Sequence, residues 1–142
     1  MIKRVLVALA AATTLTAAIG ASGAAGGDRL LATPPNVCSA LVQIRPDLYA
    51  SFGECVGRLN RDVAAYRFPE NPEDPSSALL SLDERCTQFE DGIFDPMLGE
   101  FFQIEYPFFF VEPEGWPFPE YWAQNHQQCM NTLYAYHRFV GI

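Results

Sequence analysis

The stretch FDPMLGEFFQIEYPFFFVEPEGWPFPEYW, residues 94–122, constrains the fold of this chain more than any other. It holds eleven of the nineteen aromatic residues, six acidic residues and no basic one. Five prolines interrupt it, and each fixes its own φ and disfavours the α conformation in the preceding residue. We therefore expect short elements and turns here rather than a long helix. The aromatic side chains must still be covered, because leaving each in water forfeits about 1.5–3 kcal/mol.

Two interpretations of this stretch differ in what covers its aromatic side chains. In the first, the segment folds back over the helices as a hydrophobic cover. In the second, part of it stays exposed as a docking face, since a large apolar patch rimmed by charge usually marks a contact surface. Because no basic residue lies between Arg85 and Arg138, such a face would suit a basic protein or peptide. The residues predicted to form it are Phe108, Phe110, Glu112, Glu114, Trp116, Phe118, Glu120 and Tyr121.

The N-terminus has the composition of a secretory signal peptide. Lys3 and Arg4 precede an apolar run, and small residues fill positions 20–27, as signal peptidase cleavage requires. We interpret residues 1–25 as a signal peptide cleaved within 20–27, and residues 28–142 as one globular domain. A retained membrane anchor is the alternative, because the uncharged N-terminal run is long enough to span a bilayer. Export predicts a secreted or periplasmic, cell-envelope location.

The charge of the chain restricts its partners. The formal net charge is −8, and removal of Lys3 and Arg4 would make it more negative and leave arginine as the only base. Nucleic acids require a basic footprint, and anionic membranes attract basic segments, so neither is expected as a partner. We also expect no stable membrane insertion after signal cleavage. A basic partner fits the charge, although acidity by itself also keeps an exported protein soluble.

The cysteines predict two disulfide bonds. Cys38, Cys55, Cys86 and Cys129 form an even set in a chain expected to be exported, which favours disulfides over thiol chemistry. Their spacings match no zinc signature, and the chain has no C-x-x-C motif. Of the three possible connectivities we favour Cys38–Cys55 with Cys86–Cys129, because this pairing joins neighbouring elements.

Apolar periodicity predicts an all-α fold: a small disulfide-linked bundle of about four helices, with the irregular segment 94–118 packed over it. The clearest helix begins at a capping box, Ser51 with Glu54, and runs from Phe52 to Tyr66 with one apolar face. Arg58 and Arg61 lie opposite that face and are expected to be surface charges.

The other helices are less sharply bounded. One is expected from Val37 to about Ile44 with Asn36 as its N-cap, one from Asp74–Ser76 to a cap at Gly92, and one from Pro119 to about Val140. A two-turn helix is expected after Asp95, because a capping residue followed by proline is typical of a helix start. The segment Phe108–Val111 is expected to be extended, without an obvious pairing partner.

Candidate catalytic residues are few. His126 and Cys129 lie one helical turn apart, as a metal site or a base beside a thiolate would require, but disulfide formation argues against both. We therefore predict no metal site and no cofactor. A hydrolase would need a pair of carboxylates at a defined separation, and no spacing selects a pair among Asp91, Asp95, Glu100 and Glu105.

Three function classes remain open. The sequence favours a non-enzymatic binding or interaction protein that uses the aromatic–acidic face, because residues 28–142 contain no G-x-S-x-G, H-E-x-x-H or G-x-x-x-x-G-K motif. A structural or stress-related envelope protein is the second class. A small secreted hydrolase with a carboxylate pair is the third.

Overall fold

Three small β-sheets lie among four helices in residues 29–95 and 99–142, the part of the chain that the structure, a computed structural model, describes. The expected all-α bundle is therefore wrong. The predicted signal peptide and residues 96–98 lie outside the described residues. In chain order the elements are β1 (Arg29–Leu31), α1 (Pro34–Ile44), α2 (Phe52–Ala65), β2 (Arg67–Pro69), β3 (Leu79–Ser81), α3 (Leu82–Asp91), β4 (Ile93–Asp95), β5 (Glu100–Phe102), β6 (Phe108–Phe109), β7 (Glu120–Ala123) and α4 (His126–Val140).

The largest sheet has the strand order β1-β7-β6. It supplies the pairing partner that the extended segment at Phe108 lacked in the sequence interpretation: β6 runs antiparallel to β7, with Phe109 opposite Trp122. β1 runs parallel to β7 on its other side. The last helix was expected from Pro119, but β7 occupies that position, and α4 begins after Asn125, whose side chain accepts a hydrogen bond from the Gln128 backbone N–H. Tyr121 and Ala123 are buried and alternate with more exposed residues, as a strand requires.

The third helix starts later than predicted, because a strand of the second sheet occupies the residues before it. β2 and β3 pair antiparallel, with Phe68 opposite Leu80, so residues expected to be helical from Asp74–Ser76 form a loop and a strand instead. α3 begins after Ser81, which forms a capping box with Glu84. Both halves of that box satisfy backbone donors that have no partner inside the helix.

The third sheet replaces the two-turn helix expected after Asp95. β4 and β5 pair antiparallel, with Ile93 opposite Phe102 and Phe94 opposite Phe101. Gly92 ends α3 as predicted and has φ 94°. A Cβ atom at Gly92 would lie 2.1 Å from the Phe101 ring, so both the backbone conformation and the close approach of that ring require glycine.

The first two helices follow the sequence more closely. α2 begins after Ser51, whose side chain accepts from the Glu54 N–H, and its extent agrees with the prediction to within a residue. α1 starts earlier than expected: Thr33 is its N-cap and two prolines occupy the first turn, where the missing N–H costs nothing. Asn36, expected to be the cap, donates to the carbonyl of Leu31 instead.

Two disulfide bonds connect the helices in pairs. Cys38–Cys55 joins α1 to α2 with a Cα–Cα distance of 5.7 Å, and Cys86–Cys129 joins α3 to α4 with 6.2 Å. This is the pairing that the sequence favoured. Disulfide bonds of this kind persist in oxidising compartments such as the cell exterior.

The core lies where α4 packs against α1, α3 and β7. Residues 131–136 of α4 are all buried, including Asn131, whose side-chain amide donates to the Ala32 carbonyl at 2.8 Å. On α2 the buried residues are Cys55, Leu59 and Val63, whereas Phe52, expected on the same face, is 48% exposed. No helix of the described segments is both long and apolar enough to cross a bilayer.

Candidate functional site

The aromatic residues predicted to contact a partner lie in the core. Phe108 is 0% exposed, and Phe110, Trp116 and Tyr121 are also buried. The Trp116 ring packs edge-on against Tyr136 at 4.9 Å between centroids, and its Nε1 donates to the Pro119 carbonyl at 3.1 Å. These side chains form the hydrophobic cover of the first interpretation and are not available on the surface as anchors.

The remaining members of the predicted face do not form a surface with them. Glu112 and Glu114 are exposed, while Glu120 is bound by Arg29, with Nε 3.1 Å from Oε2. Although Glu112 is exposed, partial desolvation of its carboxyl group, with the nearby charge of Glu120, raises its pKa. Phe118 is partly buried against Trp116. Arg29 comes from the other end of the described chain, so its arrival at Glu120 could not be read from local sequence.

A different pair of aromatic residues is exposed. Phe94 and Phe101 are 59% and 62% exposed, and they lie directly opposite each other on β4 and β5. Side chains paired in this way stand on the same face of the sheet, with Cβ atoms about 4.5–5.5 Å apart. The two exposed side chains therefore stand on the same face of the β4–β5 hairpin. Phe101 is also held in place by its contact with Gly92.

Acidic residues adjoin this aromatic pair in the sequence, and Glu100, one residue before Phe101, points to the other face of the hairpin. Asp91 ends α3 immediately before Gly92, and Glu100 precedes Phe101; both are exposed, and neither makes a salt bridge among the described residues. The sequence from residue 89 to 105 has five acidic residues and no basic one. We call Phe94, Phe101, Asp91 and Glu100 the hairpin patch.

His126 lies at the centre of a second polar cluster. Its Nδ1 is 2.5 Å from Glu90 Oε1 and its Nε2 is 2.7 Å from Asp83 Oδ1. The hydroxyl of Tyr106 also donates to Glu90 Oε1, at 2.6 Å. Burial alone would lower the pKa of His126, but the hydrogen bonds to Glu90 and Asp83 outweigh it and raise the pKa above its usual value.

This cluster joins α3 to α4 rather than supporting catalysis. Each ring nitrogen of His126 is occupied by a different carboxylate, so the ring has no free nitrogen to act as a base or as a metal ligand. Cys129, the expected neighbour in such chemistry, is part of a disulfide bond. Within the described segments no group of three or more His, Cys, Asp and Glu side chains is arranged to hold a metal ion.

Three of the four carboxylates considered for a hydrolase lie on the surface of the described chain. Asp91, Glu100 and Glu105 are all exposed, and the side chain of Asp95 lies outside the described residues. No protein-family model matches the chain, and no curated protein or solved structure is significantly similar to it.

Proposed function

We propose that this chain is a non-enzymatic binding protein, secreted or held in the cell envelope, that uses the hairpin patch to bind a basic protein or peptide. The observation that carries the proposal is the exposure of Phe94 and Phe101 side by side, at 59% and 62%. The expected class of function is unchanged, but its location moves from residues 108–122 to the β4–β5 hairpin.

Energetics favour burial of this pair on a partner. Burying a phenylalanine side chain contributes about 1.5–3 kcal/mol relative to leaving it in water, and a small number of buried aromatic anchors supplies most of the affinity of an interface. Most of the other aromatic rings of residues 100–123 are buried in the fold, including Phe102, Phe108 and Tyr121, and the remaining ones are partly buried. The hairpin patch therefore stands out as a surface that folding alone leaves uncovered.

The charge around the pair indicates the chemistry of the partner. Asp91 and Glu100 have no basic partner within the described part of the chain, so their charges are available to an incoming molecule. Exposed charges at the rim of an interface mainly raise the association rate and select the sign of the partner. A partner with apolar side chains between arginine or lysine residues meets both requirements.

The proposal can be tested with defined peptides. A fluorescent peptide that alternates leucine with arginine should bind the folded protein, and the same peptide with glutamate in place of arginine should not. The Phe94→Ser variant should weaken binding by about tenfold, the change expected for loss of about 1.4 kcal/mol. The matched control is Phe52→Ser, which removes an exposed phenylalanine of α2.

A second variant separates the charges from the aromatic anchors. Changing Asp91 to Asn together with Glu100 to Gln should slow association and flatten its dependence on salt, because screening acts on exposed charges. The proposal is wrong if the acidic peptide binds as well as the basic one, or if Phe52→Ser weakens binding as much as Phe94→Ser. Complete absence of binding would leave a structural role in the envelope as the better explanation.

A further inference from the structure

A cleft of about 200 Å³ lies between the loop after α1, the helix α2 and the helix α4. Its walls combine aromatic rings with charged groups, and Leu48 and Ala65 add apolar surface. It shares no residue with the hairpin patch. The polar and aromatic side chains that line the cleft are Tyr49, Arg58, Asp62, Tyr66, Tyr134 and Arg138.

Most polar groups of the cleft are already paired with one another. The Tyr49 hydroxyl donates to Asp62 Oδ2 at 2.9 Å and lies 2.5 Å from the Tyr134 hydroxyl. Arg58, expected to be a surface charge, bonds to Glu54 at 2.6 Å and lies 3.3 Å from Asp62. These contacts fix the walls of the cleft, because each group is held by a neighbour on another turn or element.

Arg138 differs from the other charged groups of the cleft. Its guanidinium lies 4.5 Å from the ring centre of Tyr66 and 5.3 Å from that of Tyr134. Within the described residues it forms no salt bridge, and its buried Nε has no hydrogen-bond partner. A buried donor without a partner is costly and unusual in folded proteins. The two rings therefore hold a planar cation in position, and no side chain of the described residues pairs with it.

The nearby acids form no salt bridge with Arg138 among the described residues, although its positive charge helps to lower the pKa of Asp47. Asp47 pairs with Arg45 through two bonds of 2.8 and 2.5 Å, Asp62 contacts Tyr49, Arg58 and Arg61, and the Ile142 oxygen accepts a hydrogen bond from the Tyr66 hydroxyl. In a chain with a formal charge of −8, this cleft is thus lined by an arginine that no acidic side chain of the described residues pairs with. A planar guanidinium with free N–H groups matches the two oxygens of a carboxylate, and it binds them in a bidentate manner.

We propose that this cleft binds a small organic carboxylate, with Arg138 as its bidentate partner and the rings of Tyr66 and Tyr134 beside its apolar part. The volume limits the ligand to about the size of benzoate, because pockets for drug-sized ligands span roughly 300–1,000 Å³. The apolar surface of Leu48 and Ala65 favours an organic anion over an inorganic one.

Nuclear magnetic resonance titration of the isotope-labelled protein provides the test. Benzoate should shift the Arg138 Nε–H signal saturably, with a dissociation constant of about 10 mM or below. Benzamide has the same shape without the charge and should bind at least about tenfold more weakly, as should inorganic phosphate. Equal binding of benzoate and benzamide would show that the cleft binds apolar rings without recognising the carboxylate charge. Equal binding of phosphate and benzoate would refute the preference for an organic anion.

Three variants assign the binding to the cleft. Arg138→Gln should abolish benzoate binding, whereas Arg29→Gln, which removes the same charge from β1, away from the cleft, should not. Ala65→Leu keeps every charge and fills the cleft, so it should also abolish binding. If Arg29→Gln weakens benzoate binding as much as Arg138→Gln, or if Ala65→Leu leaves it unchanged, the carboxylate is attracted by diffuse charge and the proposed site is wrong.

Discussion

His137 should make the fold sensitive to acid, and the effect can be isolated with His137→Phe. The Nδ1 atom of His137 is buried and has no hydrogen-bond partner among the described residues, and the ring packs edge-on against Phe68 at 4.6 Å between centroids. Burial, with the positive charges of Arg85 and Arg138, lowers the pKa of His137 to about 4. Phenylalanine keeps a ring at this position and removes the unpaired nitrogen.

The sign of the effect follows from proton linkage. In the unfolded chain the ring titrates near its ordinary pKa of 6.5, whereas in the folded protein its pKa is about 4. The unfolded state therefore binds a proton first as the pH falls, and the stability present above pH 6.5 is lost as the pH falls towards 4. Each pH unit in that window costs up to about 1.4 kcal/mol, so the free energy of unfolding should decrease by about 2–3 kcal/mol at about pH 4.5.

Urea unfolding of both proteins, followed by circular dichroism at several pH values, measures this loss. Carboxylates also titrate near pH 4.5, but their contributions cancel in the difference between the wild type and the variant at each pH. At neutral pH the two proteins should differ by less than about 1 kcal/mol, because an unpaired polar atom is exchanged for an apolar one of similar shape. Towards pH 4.5 the variant should become the more stable protein.

Two results would refute this reasoning. If the difference between the variant and the wild type stays constant from neutral pH to about pH 4.5, His137 does not bind a proton on unfolding in that window. If the wild type instead gains stability relative to the variant on acidification, the charged ring must be stabilised in the fold, contrary to its burial beside two arginines.

Two further predictions concern other residues of the same fold. His126 should act in the opposite direction, because the hydrogen bonds to Glu90 and Asp83 raise its folded pKa. The stability that it adds is present below pH 6.5 and is lost as the pH rises through the folded pKa, so the stability difference between wild type and His126→Gln should shrink as the pH rises above 6.5. A difference that grows with pH would contradict the arrangement. Trp116→Ala should lower the free energy of unfolding by about 3–5 kcal/mol, the usual cost of truncating a buried aromatic side chain; a loss of less than about 1 kcal/mol in thermal unfolding would mean that Trp116 is not in the core.

The helix α2 was predictable because its evidence is local. Ser51 and Glu54 mark the start, and Leu59 and Val63 repeat at helical spacing over a segment long enough to show the period. The strands carry no comparable signal: β1 through β5 are three residues each, which is too short for alternation to be recognised. β1 is stabilised by pairing across the chain, as in Leu30 with Tyr121, and pairing of this kind is invisible in a local window.

The exposed and buried aromatic residues could not be separated by composition. Phe94 and Phe108 both lie among acids and prolines, yet one is exposed and the other is in the core. The difference arises because β6 is paired with the buried strand β7, whereas β4 and β5 pair only with each other. In the sequence, Gly92 was the available signal for the hairpin, because a glycine that caps α3 leaves room for an aromatic ring to lie against the backbone. The surroundings of Arg138 could not be predicted, because they depend on its contact with the Tyr66 ring, which is distant in sequence.

The predicted cysteine pairing also indicates which other residues of the linked helices lie close to one another. A disulfide bond brings two helices together at one point, and residues one turn away from each cysteine lie on the same side of their helix as that cysteine. Asp83 and Glu90 lie three residues before and four residues after Cys86, and His126 lies three residues before Cys129. The bond between Cys86 and Cys129 therefore brings the face with both carboxylates near the face with the histidine, and the structure shows contacts of 2.5 and 2.7 Å between them. The same spacing places Leu41 of α1 and Leu59 of α2 beside Cys38–Cys55, and both leucines are fully buried.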